Sequence, residues 1–447
     1  MGQAHQDYTR NRPGRKPSAN LAGEAFWVGF GIITGVLALV AGTRFLTHLL
    51  PPDEYGKLAL AVSLSTLAVM IFGDPVGKTT VRFYSLWYSA GKPYGFMQNL
   101  GRSLFRAVGV IGVCCAGVIL SGRFMTASPG SYFVLVTGIF AMLLIFNRTA
   151  IALEDAARKR RFRGILQASF EVLRFFFAIA LVVILALPAA ETVLSGFVMA
   201  GILVVTVHGI FLCRLFKKVP AEKNSPGQPV VRIDNDVMRA FQSPLIVSSI
   251  CMWLVMMAER WVLTYFGSPA DVGGYAAVYQ LAFVPMLLVS SFLILLIEPV
   301  LYQVGGVDKK AASSGQANRM NRYAVVGIMS VTLFLSGILF FTYPLAGTLL
   351  LGAEFRSYSW LFPWLILAGG CFAAAQQVLL KLSYEMRTDL LAILWGVVAV
   401  GAVAAYSAGA ACWQLRGVVT AVVAVNIGLL LSALVLVHAR RSHGHAG

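Results

Sequence analysis

The chain is short of charge. Only 12% of its 447 residues are Asp, Glu, Lys or Arg, against 58% hydrophobic, and its mean hydropathy is +0.76. Soluble domains carry about 25% charged residues, so composition excludes a soluble globular protein. Acids are scarcer than bases, 19 against 36, leaving a formal charge of +17. Such a surplus suits nucleic acid, but here the bases crowd into alternate connections between apolar runs. That pattern is the mark of membrane orientation, not of nucleic-acid binding. The six cysteines lie in apolar segments or at their edges and form no metal-type spacing. They read as small core residues, with no metal centre and no cofactor implied. Also missing are a serine–histidine–acid set in one compartment and any long outer loop with an acidic motif. Membrane glycosyltransferases and ligases generally need such a loop to meet their acceptor, so the chain reads as a non-enzyme. The first apolar run, 26–43, is longer than a signal-peptide core and no Ala-x-Ala site follows it.

What the chain has in quantity is apolar runs of about 20 residues, the length that spans a bilayer core as a helix. Twelve helices are predicted: 22–50, 57–84, 103–121, 131–150, 166–187, 192–213, 240–266, 275–301, 323–349, 357–380, 389–411 and 417–437. The odd-numbered connections, with their adjoining helix ends, hold only Arg44, Lys57, Arg123, Arg260, Arg356 and Arg416; the other thirty of the 36 bases lie in the tails and even-numbered connections. By the positive-inside rule both termini are then cytoplasmic. The expected fold is an all-α polytopic membrane protein of about twelve transmembrane helices, in two pseudo-symmetric six-helix lobes around a central cavity. The expected divisions are a basic tail (1–21), an N-terminal lobe (22–213), a cytoplasmic linker (214–239), a C-terminal lobe (240–437) and a short cytoplasmic tail (438–447).

The two-lobe reading rests on a repeated hairpin. Residues 44–67 run RFLTHLLPPDEYGKLALAVSLSTL, an apolar helix, a six-residue turn over 51–56 and a second apolar helix. Residues 260–281, RWVLTYFGSPADVGGYAAVYQL, repeat the plan more loosely. Pro51 and Pro52 stop a helix, and Gly56 suits a tight reversal.

Several charged residues fall inside or beside apolar runs, where lipid exposure is costly. Asp74, Lys78 and Arg82, spaced i, i+4, i+8, share one helix face, and Pro75 is expected to kink that helix. They either snorkel to headgroups or face an aqueous cavity. Gly73 to Thr79 falls one residue short of a phosphate-binding loop and follows an apolar helix, so it is not read as a nucleotide site. The charge-free run 175–187 is too short to span, which places Glu171 and Arg174 inside the inner half of the bilayer, as a mutual pair or on a polar path, with Arg148 able to join them. Arg44 and Arg260 occupy corresponding places in the two halves. Glu259 and Glu298 are the remaining helix-associated acids, and His208 reads as a core histidine. The basic run Arg158 to Arg163 reads as an anchor to anionic headgroups.

The segment 44–60 (RFLTHLLPPDEYGKLAL) resembles the first hairpin of the O-antigen and exopolysaccharide flippases of the multidrug/oligosaccharidyl-lipid/polysaccharide exporter superfamily. Glu259-Arg260, where those proteins often carry Asp-Arg, and 272–276 (VGGYA) resemble its counterpart, and 350–355 (LLGAEF) resembles the turn after helix nine. The resemblance implies a bacterial inner-membrane flippase for undecaprenyl-pyrophosphate-linked oligosaccharide, working by alternating access around a cationic cavity in O-antigen, capsule or exopolysaccharide synthesis. Polysaccharide polymerase and chain-length proteins would be its partners. The substrate contacts would come from Arg44, Lys78, Arg82, Arg148, Arg174 and Arg260, since guanidinium groups supply paired donors to phosphate. Asp74, Glu171, Glu259 and Glu298 would be candidates for coupling to H+ or Na+. A small-molecule antiporter of the same superfamily would instead need a cavity dominated by acids and aromatics. A membrane glycosyltransferase or polymerase would need an acidic base beside a glycan groove.

Overall fold

The computed structural model describes residues 21–89, 93–122, 130–217, 235–304, 315–384 and 388–443. The N-terminal tail, most of the linker and the extreme C-terminus therefore lie outside the described residues, as does the side chain of Glu298. The described chain is helical almost throughout. In order it forms α1 (Leu21–Leu49), α2 (Pro52–Ala68), a π-helical turn (Val69–Gly73), α3 (Asp74–Ser89), α4 (Pro93–Gly122), α5 (Ser131–Ala156) and α6 (Arg160–Leu185). There follow α7 (Ala190–Lys217), α8 (Asn235–Phe266), α9 (Pro269–Val304), α10 (Gly315–Leu350), a 3-10 segment (Ala353–Leu361) and α11 (Phe362–Tyr384). The stretch Thr388–His443 is helical except at Trp413 and Gln414, where the backbone leaves helical angles. Its two arms, 388–412 and 415–443, are α12 and α13.

Eleven helical segments among the described residues are long and apolar enough to cross a bilayer. The last of them, Leu390–Val437, is 48 residues long and doubles back. Gln414 takes the left-handed conformation at φ 49°, and Gly409 and Gly417 face each other so closely that a methyl on either would overlap the other's carbonyl. Counting the two arms of this last segment separately gives twelve apolar helical segments among the described residues.

Helix starts differ from the sequence reading in one instructive way. The six-residue turn expected over 51–56 is absent: α2 begins at Pro52, directly after Pro51. Proline is well placed at the first helical position, where its missing N–H costs nothing. Gly56 is therefore helical, and Gly273, which the sequence places before a helix starting at 275, lies inside α9. Both glycines serve a close crossing of α2 with α9, not a reversal of the chain. Similarly, α4 begins at Pro93 and α6 at Arg160, so the basic run Arg160 to Arg163 forms the first turn of a helix.

The bend in the second span is real, but its form is a π turn over Val69–Gly73 just ahead of Pro75. A proline ring clashes with the carbonyl four residues earlier, and one wide turn relieves that clash.

Within the first half α1 packs on α6, α6 on α7, and α5 on both α7 and α3. Within the second half α10 and α9 pack on α11, α11 on the α12–α13 hairpin, and α8 against that hairpin. Tyr406 of α12 donates to the Val255 carbonyl of α8 at 2.8 Å. The halves meet chiefly along α2 and α9, with α1 and α8 flanking. At the end where Leu50–Pro51 and Gly267–Ser268 turn (the hairpin end), this seam is closed. Gly352 donates to Thr47 Oγ1 at 3.0 Å, and the Tyr55 and Phe355 rings meet edge to face.

Candidate functional site between the two halves

Just inside the closed hairpin end lies a cavity of about 40 Å³. Its walls come from both halves, and two of its lining residues are arginines, Arg174 of α6 and Arg260 of α8. Space of this size holds a few water molecules, not a sugar diphosphate, so the cavity is contracted.

Each arginine is held by a carboxylate from its own helix. Arg174 Nη2 lies 2.6 Å from Glu171 Oε2, one turn earlier. Its guanidinium also stands over the Phe175 ring at 4.7 Å. Gly42 lets α1 come close to Phe175, where any larger side chain would overlap that ring. Arg260 Nε lies 3.7 Å from Glu259 Oε1, an ion pair too long for a hydrogen bond. Its guanidinium sits 4.8 Å above the Tyr279 ring of α9. Glu259 and Arg260 are 1% and 2% exposed, so neither reaches solvent or headgroups. The Tyr55 hydroxyl is within electrostatic reach of both arginines.

Polar groups around this cavity are conspicuously unsatisfied. On its wall Arg174 Nε and Arg260 Nε are buried without a hydrogen bond, and Thr43 Oγ1 has at most the Tyr55 hydroxyl; behind the wall the Glu259 carboxylate has only the Tyr275 hydroxyl beside it. Buried polar groups are ordinarily paired, and a cluster of exceptions at one cavity marks a place built for something polar.

The remaining candidates are elsewhere. Arg44 is half-buried and reaches the Thr348 carbonyl of α10 at 3.5 Å; it does not line the cavity. Arg148 does not join Glu171 and Arg174. It pairs with Asp74, Nε to Oδ1 at 2.7 Å, with Lys78 in electrostatic range of both. Gly73, ending the π turn, lies against the Arg148 stem. From Ala59 at the cavity to Lys78 the second span rises roughly 28 Å, so this is a separate cluster toward the opposite end. Arg82 is exposed on α3 beside Phe83. Among the described residues no three His, Cys, Asp or Glu side chains gather as a metal site.

Three features escaped the sequence reading. His208 is not alone: its Nδ1 lies 2.6 Å from Glu154 Oε1, both residues fully buried between α5 and α7. Trp253 and Trp261 of α8, two turns apart, converge on Ser63 of α2, donating to its carbonyl at 2.9 Å and its hydroxyl at 3.1 Å. Tyr275 and Tyr279 flank the Glu259–Arg260 pair; the sequence marked Tyr275 only within the VGGYA match, and their four-residue spacing, which puts both on one helix face, was the signal that they act together.

No protein-family model matches the chain, and no curated protein sequence does. Solved structures match nearly its full length. The lipid II flippase MurJ in an inward closed conformation superposes with a TM-score of 0.64 at 12% identity, covering 93% of this chain and 87% of that one. A MATE transporter in its straight conformation gives 0.63 at 12% identity, covering 95% and 96%. A MOP superfamily transporter from Pyrococcus furiosus, noted for a binding pocket of reverse polarity, gives 0.57 at 13% identity, covering 94% and 95%. The chain thus has the fold shared by MATE transporters and MurJ, and these neighbours are transporters and flippases.

Proposed function

We propose that the chain is a flippase for a lipid-linked oligosaccharide, carrying an undecaprenyl-pyrophosphate head group across the bacterial inner membrane by alternating access. The observation that carries this reading is the convergence of Arg174 and Arg260, one from each half, on a single cavity, with neither Nε hydrogen-bonded. A carrier that rocks two lobes about a central site needs ligand contacts from both. A diphosphate is the kind of ligand that justifies buried guanidinium groups in an apolar bundle.

In this reading residues 22–213 and 240–437 are the two lobes, and the hairpin end faces the periplasm with both termini cytoplasmic. The Asp74–Lys78–Arg148 cluster stands toward the cytoplasmic end, on the path by which the head group enters. A potential negative inside favours outward movement of the anionic head. Coupling to H+ or Na+, and association with polymerase and chain-length proteins of O-antigen, capsule or exopolysaccharide synthesis, belong to the same proposal. The test is transfer of a fluorescent undecaprenyl-pyrophosphate oligosaccharide between leaflets of proteoliposomes. A small-molecule antiporter would transport cationic drugs and leave that lipid in place.

A further inference from the structure

We propose that Glu171 and Glu259 are internal stand-ins for the substrate's phosphates. In the closed cavity each occupies one of the two arginines, and loading exchanges carboxylate for phosphate. The inference rests on reading the cavity as a head-group site and adds how that site releases and accepts its cargo.

Two guanidinium groups sharing one small apolar-walled cavity would repel each other and each bear a large desolvation cost. The structure supplies one carboxylate per arginine, so the closed, unloaded site is formally neutral. Both carboxylates come from the arginine's own helix, at i−3 for Glu171 and i−1 for Glu259. They therefore travel with their arginines whichever way the lobes rock, as a resident counter-ion must. Neither pair consumes the whole donor fork. Arg174 Nε is left over by its pair, and Arg260 Nε faces Glu259 without closing a hydrogen bond. The two pairs also differ in tightness: Arg174 is held at 2.6 Å, whereas Arg260 and Glu259 stand 3.7 Å apart. Arg260 is accordingly the arginine that a phosphate recruits first.

A carboxylate that gives up its arginine needs another donor, since a buried unpaired charge is costly. For Glu259 one is in place. The Tyr275 hydroxyl lies within hydrogen-bonding reach of its carboxylate and makes no other hydrogen bond. Tyr279 and Tyr406 cannot serve, because their hydroxyls already donate to the Met256 and Val255 carbonyls. Tyr275 thus receives Glu259 when phosphate takes Arg260, and exchange replaces one ion pair by another instead of stripping a charge bare.

The experiment uses the full-length protein in nanodiscs, with geranylgeranyl diphosphate as the binding probe and geranylgeraniol as the phosphate-free control. Wild type is expected to bind the diphosphate over the alcohol, and Arg260→Ala and Arg174→Ala to lose that preference. Glu259→Gln and Glu171→Gln are each expected to bind the diphosphate roughly ten- to a hundredfold more tightly, the worth of one charge-assisted contact no longer competed for. Both are expected to flip lipid more slowly, because the unloaded cavity is then no longer neutral. Tighter binding with slower turnover is an outcome that a merely structural role does not produce. Tyr275→Phe is expected to weaken binding in the wild-type background and to be silent beside Glu259→Gln. If both glutamine variants bind no more tightly while the arginines remain necessary, the exchange is overturned and the head-group site stands. If the arginine variants bind as wild type does, the head-group reading itself fails.

Discussion

Gly56 of α2 and Gly273 of α9 are pressed into each other's first helical turn. A methyl on Gly273 would overlap the Pro52 carbonyl, and one on Gly56 would overlap the Pro269 carbonyl. The two hairpins that mark the halves in sequence are thus the surfaces that seal the hairpin end. Gly273→Ala is expected to hold that end open. Overpacking of this kind costs about 1–3 kcal/mol, a shift of roughly five- to 150-fold in the closed-to-open ratio. Distances between spin labels on the two hairpins measure the shift. Gly109→Ala, at a site with nothing within 4 Å, is the matched control and should leave the distances unchanged.

Two of the side-chain pairs of the first half, Glu154–His208 and Asp74–Arg148, should differ sharply in worth. Glu154 and His208 are fully buried, 0% and 1% exposed. His208→Ala leaves the carboxylate without its partner and is expected to cost about 3–5 kcal/mol, whereas Glu154→Leu with His208→Leu should recover most of that loss. Arg148 of the Asp74–Arg148 pair is half-exposed and has Lys78 close by, so Asp74→Ala should cost less than His208→Ala. Thermal unfolding of the detergent-solubilised variants ranks them, and equal losses would contradict the burial argument.

The α2–α8 seam carries two tryptophan contacts to one serine. Trp261→Phe removes the bond to the Ser63 hydroxyl and keeps most of the ring, so a loss of about 0.5–1.5 kcal/mol is expected. Ser63→Ala should match it and leave Trp253, which uses the carbonyl, in place. Combining the two should add nothing further, as a double-mutant cycle in thermal stability would show.

Much of the architecture was legible because it depends on local sequence. Twelve apolar runs, alternating basic connections and a repeated hairpin are all one-dimensional features. The role of Gly56 was not, since a glycine that ends a helix and one that admits a neighbouring backbone look alike in sequence. The wide turn at Val69–Gly73 was readable only as an unspecified kink at Pro75. Within the site, the short charge-free run after Arg174 predicted its contact with Glu171 but put both in the inner half of the bilayer, whereas Arg174 lines the cavity just inside the hairpin end. Periodicity alone could not say that Arg174 and Arg260, 86 residues apart, share a cavity, or that Arg44 turns to α10 instead. Those facts depend on which face each helix presents, and that is decided by packing across the whole chain.

The central claim is that an anionic head group is gripped by one arginine from each half. The direct measurement is leaflet-to-leaflet transfer of fluorescent undecaprenyl-pyrophosphate oligosaccharide in proteoliposomes carrying wild type, Arg174→Ala, Arg260→Ala and the two lysine variants at matched protein levels. Loss of one charge-assisted phosphate contact is worth about 1.5–3 kcal/mol, so each alanine variant should transfer roughly ten- to a hundredfold more slowly. Lysine should restore part of the rate, since it keeps the charge and loses the fork of donors. Normal transfer by both alanine variants would contradict the cationic-cavity mechanism and leave these arginines a purely structural role.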